Sequence, residues 1–184
     1  MSFADIPRSV LGTEYDSMSY PAVTAAELIE YARSLGVTDP IYLDEQAAKQ
    51  GPHGGLVAFP TYVVKLRGGK MLPPEVAKEM SRDGFDAGKD IEFHAPIRPG
   101  DTLTASSTIR EIYEKTGRSG SMYFVVFRTQ IRNQRSEVVA NVDSRLMQRG
   151  LTVQFRSLHT RLRRSHCGSR RGQNCVESGE HLLA

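Results

Sequence analysis

From Lys89 to Met147 apolar and polar residues alternate with a period of two, interrupted by three short turns. Such a run has few ways to fold. Successive side chains of a strand point to opposite faces, and turns this short join antiparallel neighbours. Ile91 and Phe93 share one strand, ended by the turn Arg98-Pro-Gly-Asp101. Leu103, Ala105 and Ile109 alternate with Thr102, Thr104 and Thr108; after Lys115-Thr-Gly-Arg-Ser-Gly120, the strand Met122 to Ile131 is apolar on both faces and is therefore placed centrally. Asn133-Gln-Arg-Ser136 then turns the chain into Val138 to Met147.

The first half has a different period. Strand-like Ser17 to Val23 leads into Thr24-Ala-Ala-Glu27, which has the form of a capping box. There the Thr24 hydroxyl accepts from the Glu27 amide and the Glu27 carboxylate reaches back to the Thr24 amide. Leu28, Ile29, Ala32 and Leu35 fall on one face of a helix spanning 25–35, closed by Gly36. Asp44 caps a shorter helix, Glu45 to Gln50. The stretch Gly54 to Leu66 is apolar nearly all round and must be buried; Pro60 fits a helix start, so 60–67 is expected to begin a central buried helix, with Val63 and Val64 leaving a strand open. Residues 68–88 read as loop with one short helix near 74–81. Helices followed by a run of strands predict an α+β fold, an antiparallel sheet packed on a buried helix.

Composition sets the boundary. From Leu151 onward there are six Arg and no Lys against two acidic residues, a net +4, so the formal total of +3 leaves −1 for residues 1–150. Periodicity stops there too. Two segments follow: a folded domain, 1–149, and an Arg-rich tail, 150–184, expected to be disordered. An arm for nucleic acid, a solvated tail and a shifted reading frame or altered terminus are three readings of that tail, and nucleic acid is not the expected partner. Cys167 and Cys175 with His159 and His166 match no usual zinc spacing, so no metal is expected. With 39% hydrophobic and 24% charged residues, no secretory leader pattern and no apolar run near the roughly 20 residues a bilayer requires, a cytoplasmic protein is the expectation.

Five ordered blocks carry a resemblance: Tyr31-Ala-Arg-Ser-Leu-Gly36, Asp39-Pro-Ile-Tyr-Leu-Asp44, Ala58-Phe-Pro-Thr61, Phe93-His-Ala-Pro-Ile-Arg-Pro-Gly-Asp101 and Arg132-Asn-Gln134. Over about residues 10–149 the chain resembles the MaoC-like acyl-CoA hydratase/dehydratase family, specifically its N-terminal, FAS1-like dehydratase type of half. The resemblance implies a hot-dog fold, in which a curved antiparallel sheet wraps a central helix. Active members carry a Gly-Asp-x-Asn-Pro-x-His segment whose Asp and His activate a water for addition to an enoyl thioester. Anchored on Pro40, that segment places Val37 where the Asp stands, Tyr42 where the His stands and Asp39 where the Asn stands. Valine accepts no proton, and tyrosine, with an ordinary pKa of about 10, is a poor base at neutrality. A glycine amide that opens the central helix and donates to the thioester oxygen in active members is matched by Pro60, which has no N–H.

The resemblance therefore implies a binding half without catalytic residues of its own, active with a second hot-dog unit as a homodimer or heterodimer. Its ligand would be an acyl-CoA or acyl carrier protein thioester, with no cofactor. Asp39, Tyr42, Leu56, Phe59, Thr61 and Tyr62 are the candidate substrate-binding residues; for Leu56, Phe59 and Tyr62 plain core packing is the competing reading. His53 and His94 read as a loop residue and a strand end. Two other functions stay open. A hot-dog hydratase or thioesterase using other residues would need, as a thioesterase, a carboxylate near the central helix, and 54–66 has none. A binding or assembly module would have no enzymatic role. Phosphate-loop, Ser-His-Asp and metal-ligand patterns are not present in the sequence.

Overall fold

The computed structural model describes residues 6–80, 84–118 and 120–149. The tail 150–184, with its cysteines and the histidines beside them, lies outside the described residues. Five strands form one sheet: β1 (Glu14–Tyr20), β2 (Phe85–Phe93), β3 (Leu103–Gly117), β4 (Gly120–Asn133) and β5 (Val138–Arg149), in the order β1-β3-β4-β5-β2 with every pair antiparallel. The strand with apolar residues on both faces, β4, is the central one, as its pattern requires. Register shifts at Ile109/Glu111, Ile131/Arg132 and Asp86/Lys89 interrupt the ladders, and bulges of this kind bend and twist a sheet.

Helix α1 (Ala25–Ser34) starts where the capping box predicts, the Thr24 hydroxyl accepting from Glu27 N–H at 3.1 Å. Gly36 follows with φ +72°, a left-handed backbone that glycine adopts without a Cβ penalty. Asp44 caps α2 (Glu45–Gln50) by accepting from Gln46 and Ala47 N–H. The short helix expected near 74–81 is the single turn α3 (Pro74–Ala77). The final strands also run longer than their patterns suggest, β2 beginning at Phe85 and β3 reaching Gly117.

The central segment departs from expectation. Residues Pro60–Lys65 form a 3-10 helix of six residues, about two turns, rather than the start of a longer α-helix. Three side chains of β1 hold the chain beyond it in another course. The Tyr20 hydroxyl donates to Arg67 C=O at 2.5 Å and accepts from Arg67 N–H at 2.9 Å. Asp16 Oδ2 accepts from Lys70 N–H at 2.9 Å, and the Tyr15 hydroxyl donates to Met71 C=O at 2.8 Å. These bonds satisfy backbone groups that a continuing helix would have paired internally. The segment still fills the core: Tyr62, Val63 and Leu66 are buried with Val23 and Leu28 over Leu103, Ala105, Ile131, Ala140 and Val142. A second cluster, Ile6, Val76, Ile109 and Val125, seats α3 against the sheet.

Candidate functional site

A cleft of about 280 Å³ opens beside the 3-10 segment, walled by Tyr42, Val57, Phe59, Pro60 and Val63 on one side and by Phe93 to Ile97 with Val139 on the other, and His53 also lines it. Local chemistry brings each wall into place. Asp39 caps the 3-10 turn Pro40–Tyr42, its Oδ1 accepting from Ile41 N–H at 3.1 Å. That turn carries the Tyr42 ring to Phe59, where the two meet edge-on with centroids 5.1 Å apart. Ala58 N–H donates to Ile97 C=O at 2.9 Å, tying the two walls together. The Arg98 guanidinium donates to His53 C=O at 2.8 Å and so draws the loop after α2 to the cleft.

The candidate residues do not all gather there. Tyr42, Phe59 and Pro60 line the cleft. Val37 is half-buried just past α1, its N–H bonded to Ala32 C=O, and Asp39 serves the turn rather than the cleft wall. Thr61 is exposed and accepts from the Tyr31 hydroxyl at 3.2 Å. Leu56 and Tyr62 sit in the core. Tyr62, 2% exposed, donates its hydroxyl to Glu27 Oε1 at 2.7 Å, while Lys65 Nζ reaches the same oxygen at 2.7 Å and lies 4.6 Å from the Tyr62 ring centroid. The bonds from Lys65 and Tyr62 hold the Glu27 carboxyl below its ordinary pKa; burial and the Glu27 bond raise that of Tyr62 well above the phenolic range.

Two histidines that read as incidental in the sequence line this cleft. His94 belongs to the Phe93 to Asp101 block, and its neighbours there were the available signal. Its Nε2 lies 2.9 Å from Asn141 Nδ2 and 3.6 Å from Glu92 Oε2. Asn141 Oδ1 accepts from Gln130, which turns the Asn141 amide nitrogen toward the ring and assigns His94 Nε2 as an acceptor. Apart from these imidazoles and the Tyr42 hydroxyl, the side chains lining the cleft are apolar.

A larger chamber of about 550 Å³ lies on the concave face of the sheet, between the Val63–Met71 stretch and β2 to β5, and Val63 borders both spaces. It exists because the chain past Lys65 follows β1 instead of crossing the sheet as a helix. Burial pushes the Tyr15 hydroxyl at one side up to about 12, the Ser107 hydroxyl acting against that shift. On the opposite face of the sheet, Asp143 accepts from Arg128 Nε and Nη2 at 2.7 and 2.9 Å and from Arg110. The turn block Asp101 is likewise structural: its carboxylate accepts from Arg98 N–H at 2.8 Å and from Gln134 Nε2 at 3.2 Å. Among the described residues no helix is long and apolar enough to cross a membrane, and no three His, Cys, Asp or Glu side chains cluster as metal ligands would.

Comparison with known proteins agrees with this geometry. Residues 9–142 match the family model for the FAS1-like, dehydratase domain region. A UPF0336 protein of Streptomyces griseus is 26% identical over 148 residues, covering 78% of this chain and 95% of that protein. The MaoC-like dehydratase of Rhodospirillum rubrum superposes with a TM-score of 0.59 at 26% identity, covering 82% of this chain and 99% of the other. The C-terminally truncated HadBC (3R-hydroxyacyl-ACP dehydratase) complex of Mycobacterium tuberculosis matches with a TM-score of 0.55 at 26% identity, over 75% of this chain and all of the matched chain. The fold is an α+β hot-dog, its central helix reduced here to a 3-10 segment. The chain belongs to the FAS1-like dehydratase-region family, among the MaoC-like hot-dog hydratases and dehydratases.

Proposed function

We propose that this chain is the acyl-thioester-binding half of an enoyl-thioester hydratase or 3-hydroxyacyl-thioester dehydratase, completed by a hot-dog partner that supplies the catalytic Asp and His. The observation that carries the reading is the composition of the cleft. At the place where the family holds its base and oxyanion donor, this chain offers the Tyr42 phenol and the Pro60 nitrogen, which has no proton. Val37 completes the altered set. Adding water across the double bond needs a group that takes its proton; valine and proline offer none, and a phenol is by residue type a poor base.

Two features support a partner. β2 is an edge strand with one side unpaired, and it carries Phe85 and Phe93 at 57% and 52% exposure. An open edge bearing large apolar side chains is a surface that a second chain covers. Phe93 also stands at the cleft, so a unit docked along β2 would close that side. The acyl group would then run from the cleft past Val63 into the chamber.

The test is the loss of conjugated enoyl-thioester absorbance on incubating the purified chain with trans-2-enoyl-CoAs. The expected result is no hydration by the chain alone and hydration when a MaoC-like partner bearing Asp and His is added, at a rate above that of the partner by itself. Hydration by the chain alone that survives Tyr42→Phe would sink the reading and turn attention to His94, whose Nε2 is held 2.9 Å from Asn141 Nδ2 at the same cleft.

A further inference from the structure

The chamber is not a simple hydrocarbon tunnel. Ser107, Thr129 and Ser144 stand on three adjacent strands, β3, β4 and β5, all on the concave face. Ser107 pairs across the ladder with Thr129, and Ser144 pairs with Phe127, one inward-facing position further along β4. All three residues are buried, at 2%, 3% and 7% exposure. Leu66, Phe127, Val142 and Leu146 stand around them, and the chamber is also lined by Arg67, Lys70, the ion pair Asp86–Lys89, and Arg145, which pairs with Asp90.

The three hydroxyls are not in the same situation. Ser107 stands beside the Tyr15 hydroxyl, which itself donates to Met71 C=O at 2.8 Å. Thr129 and Ser144 have no side-chain hydrogen bond among the described residues, yet no buried side-chain oxygen or nitrogen is left sealed without a partner there. Their oxygens therefore meet the open volume of the chamber. A saturated chain filling that volume would strip water from both hydroxyls and return nothing, and an unsatisfied buried polar group opposes binding. A chain with an oxygen at that depth would replace the water. A hydroxyl ligand could donate or accept and a carbonyl could accept, since serine and threonine do both.

We propose that the chamber selects acyl groups carrying a neutral oxygen function, a hydroxyl or a keto group, within the chain beyond the thioester. This rests on the acyl-binding reading above and adds the substrate class to it. The selection is made by Thr129 and Ser144, while the Tyr15 hydroxyl ties the adjoining loop at Met71. The cations Arg67 and Lys70, which form no ion pair among the described residues, are exposed and are not the recognising groups, which sets the neutral oxygen apart from a terminal carboxylate.

The experiment is calorimetric titration of the full chain with acyl-CoAs of equal length: saturated, mid-chain keto, mid-chain hydroxy and terminally carboxylated. Keto and hydroxy chains are expected to bind about five- to tenfold more tightly than the saturated chain, the factor that one or two net hydrogen bonds supply. Thr129→Val with Ser144→Ala should remove that preference and tighten saturated-chain binding, a gain that an unfolded variant could not show. Equal affinity for saturated and oxygenated chains would overturn the proposal and leave acyl binding standing. A preference for the carboxylated chain that disappears in Arg67→Ala with Lys70→Ala would overturn it too, moving recognition to those cations. Binding of no acyl-CoA, with or without a catalytic hot-dog partner, would overturn both this proposal and the acyl-binding reading beneath it.

Discussion

Replacing Tyr62 with phenylalanine removes one oxygen and almost no volume, so it isolates a single bond. That bond joins the central 3-10 segment to α1, since the Tyr62 hydroxyl donates to Glu27 Oε1 at 2.7 Å from a residue 2% exposed. A hydrogen bond to a charged acceptor is worth about 1.5–3 kcal/mol. Here the lower end applies, because the Glu27 carboxylate is 41% exposed and keeps Lys65 and water when the phenol is gone. We therefore expect Tyr62→Phe to cost about 1.5 kcal/mol, which for a domain of this size lowers Tm by roughly 3–6 °C. Urea denaturation followed by circular dichroism would show a lower midpoint with an unchanged slope. A double-mutant cycle with Glu27→Ala should give a coupling energy of about 1 kcal/mol. The pH dependence has a fixed sign. Lys65 and Tyr62 depress the Glu27 pKa, so the stabilisation is complete above the ordinary glutamate range and is lost as pH falls through the lowered value. The difference between the two proteins should narrow below about pH 4.3. A cost under about 0.3 kcal/mol, or zero coupling to Glu27, would refute the view that this bond anchors the segment.

Three further outcomes are expected. Asp143→Asn should destabilise the chain by about 1–2 kcal/mol near neutrality, because burial raises the Asp143 pKa but Arg128 and Arg110 outweigh it and hold it low; both arginines remain partly hydrated, which limits the loss. That depressed pKa means the effect should begin to shrink as pH falls below about 3.9 and be lost as pH passes through the lowered value, which an acid titration of both proteins would detect. Gly68→Ala should cost about 1 kcal/mol and speed amide exchange at Lys70, since an added Cβ would lie 2.0 Å from Asp16 Oδ2 and push that acceptor off the Lys70 N–H. Asp101→Ala should cost about 1–3 kcal/mol in chemical denaturation, because it strands Arg98 N–H and removes the acceptor of Gln134 Nε2 at the turn.

The cap at Thr24, the cap at Asp44 and the hairpins β3–β4 and β4–β5 were legible in the sequence because each depends on residues close together in the chain; β2, expected beside β3 across the Arg98–Asp101 turn, instead crosses to the far edge and pairs with β5. Alternation with a period of two and turns of a few residues leave an antiparallel sheet as the economical solution, and a strand apolar on both faces has to lie inside it. That Pro60 offers no amide proton was also readable, since that is a property of the residue type.

Contacts between distant residues decided the rest. Residues 60–67 carry an apolar pattern that suits a helix, yet the chain leaves helical geometry after Lys65 because Tyr15, Asp16 and Tyr20, 47 to 56 positions earlier, bond its backbone. Glu27 signals a capping box locally, but the partners that fix its carboxylate are Tyr62 and Lys65. His53 and His94 come to one cleft only through Arg98 and the β2–β5 pairing. The chamber has no local sequence signature, because it is the space left when one segment is held away from the sheet. Propensity and period act within a few residues, whereas that space depends on which side chains meet across the fold.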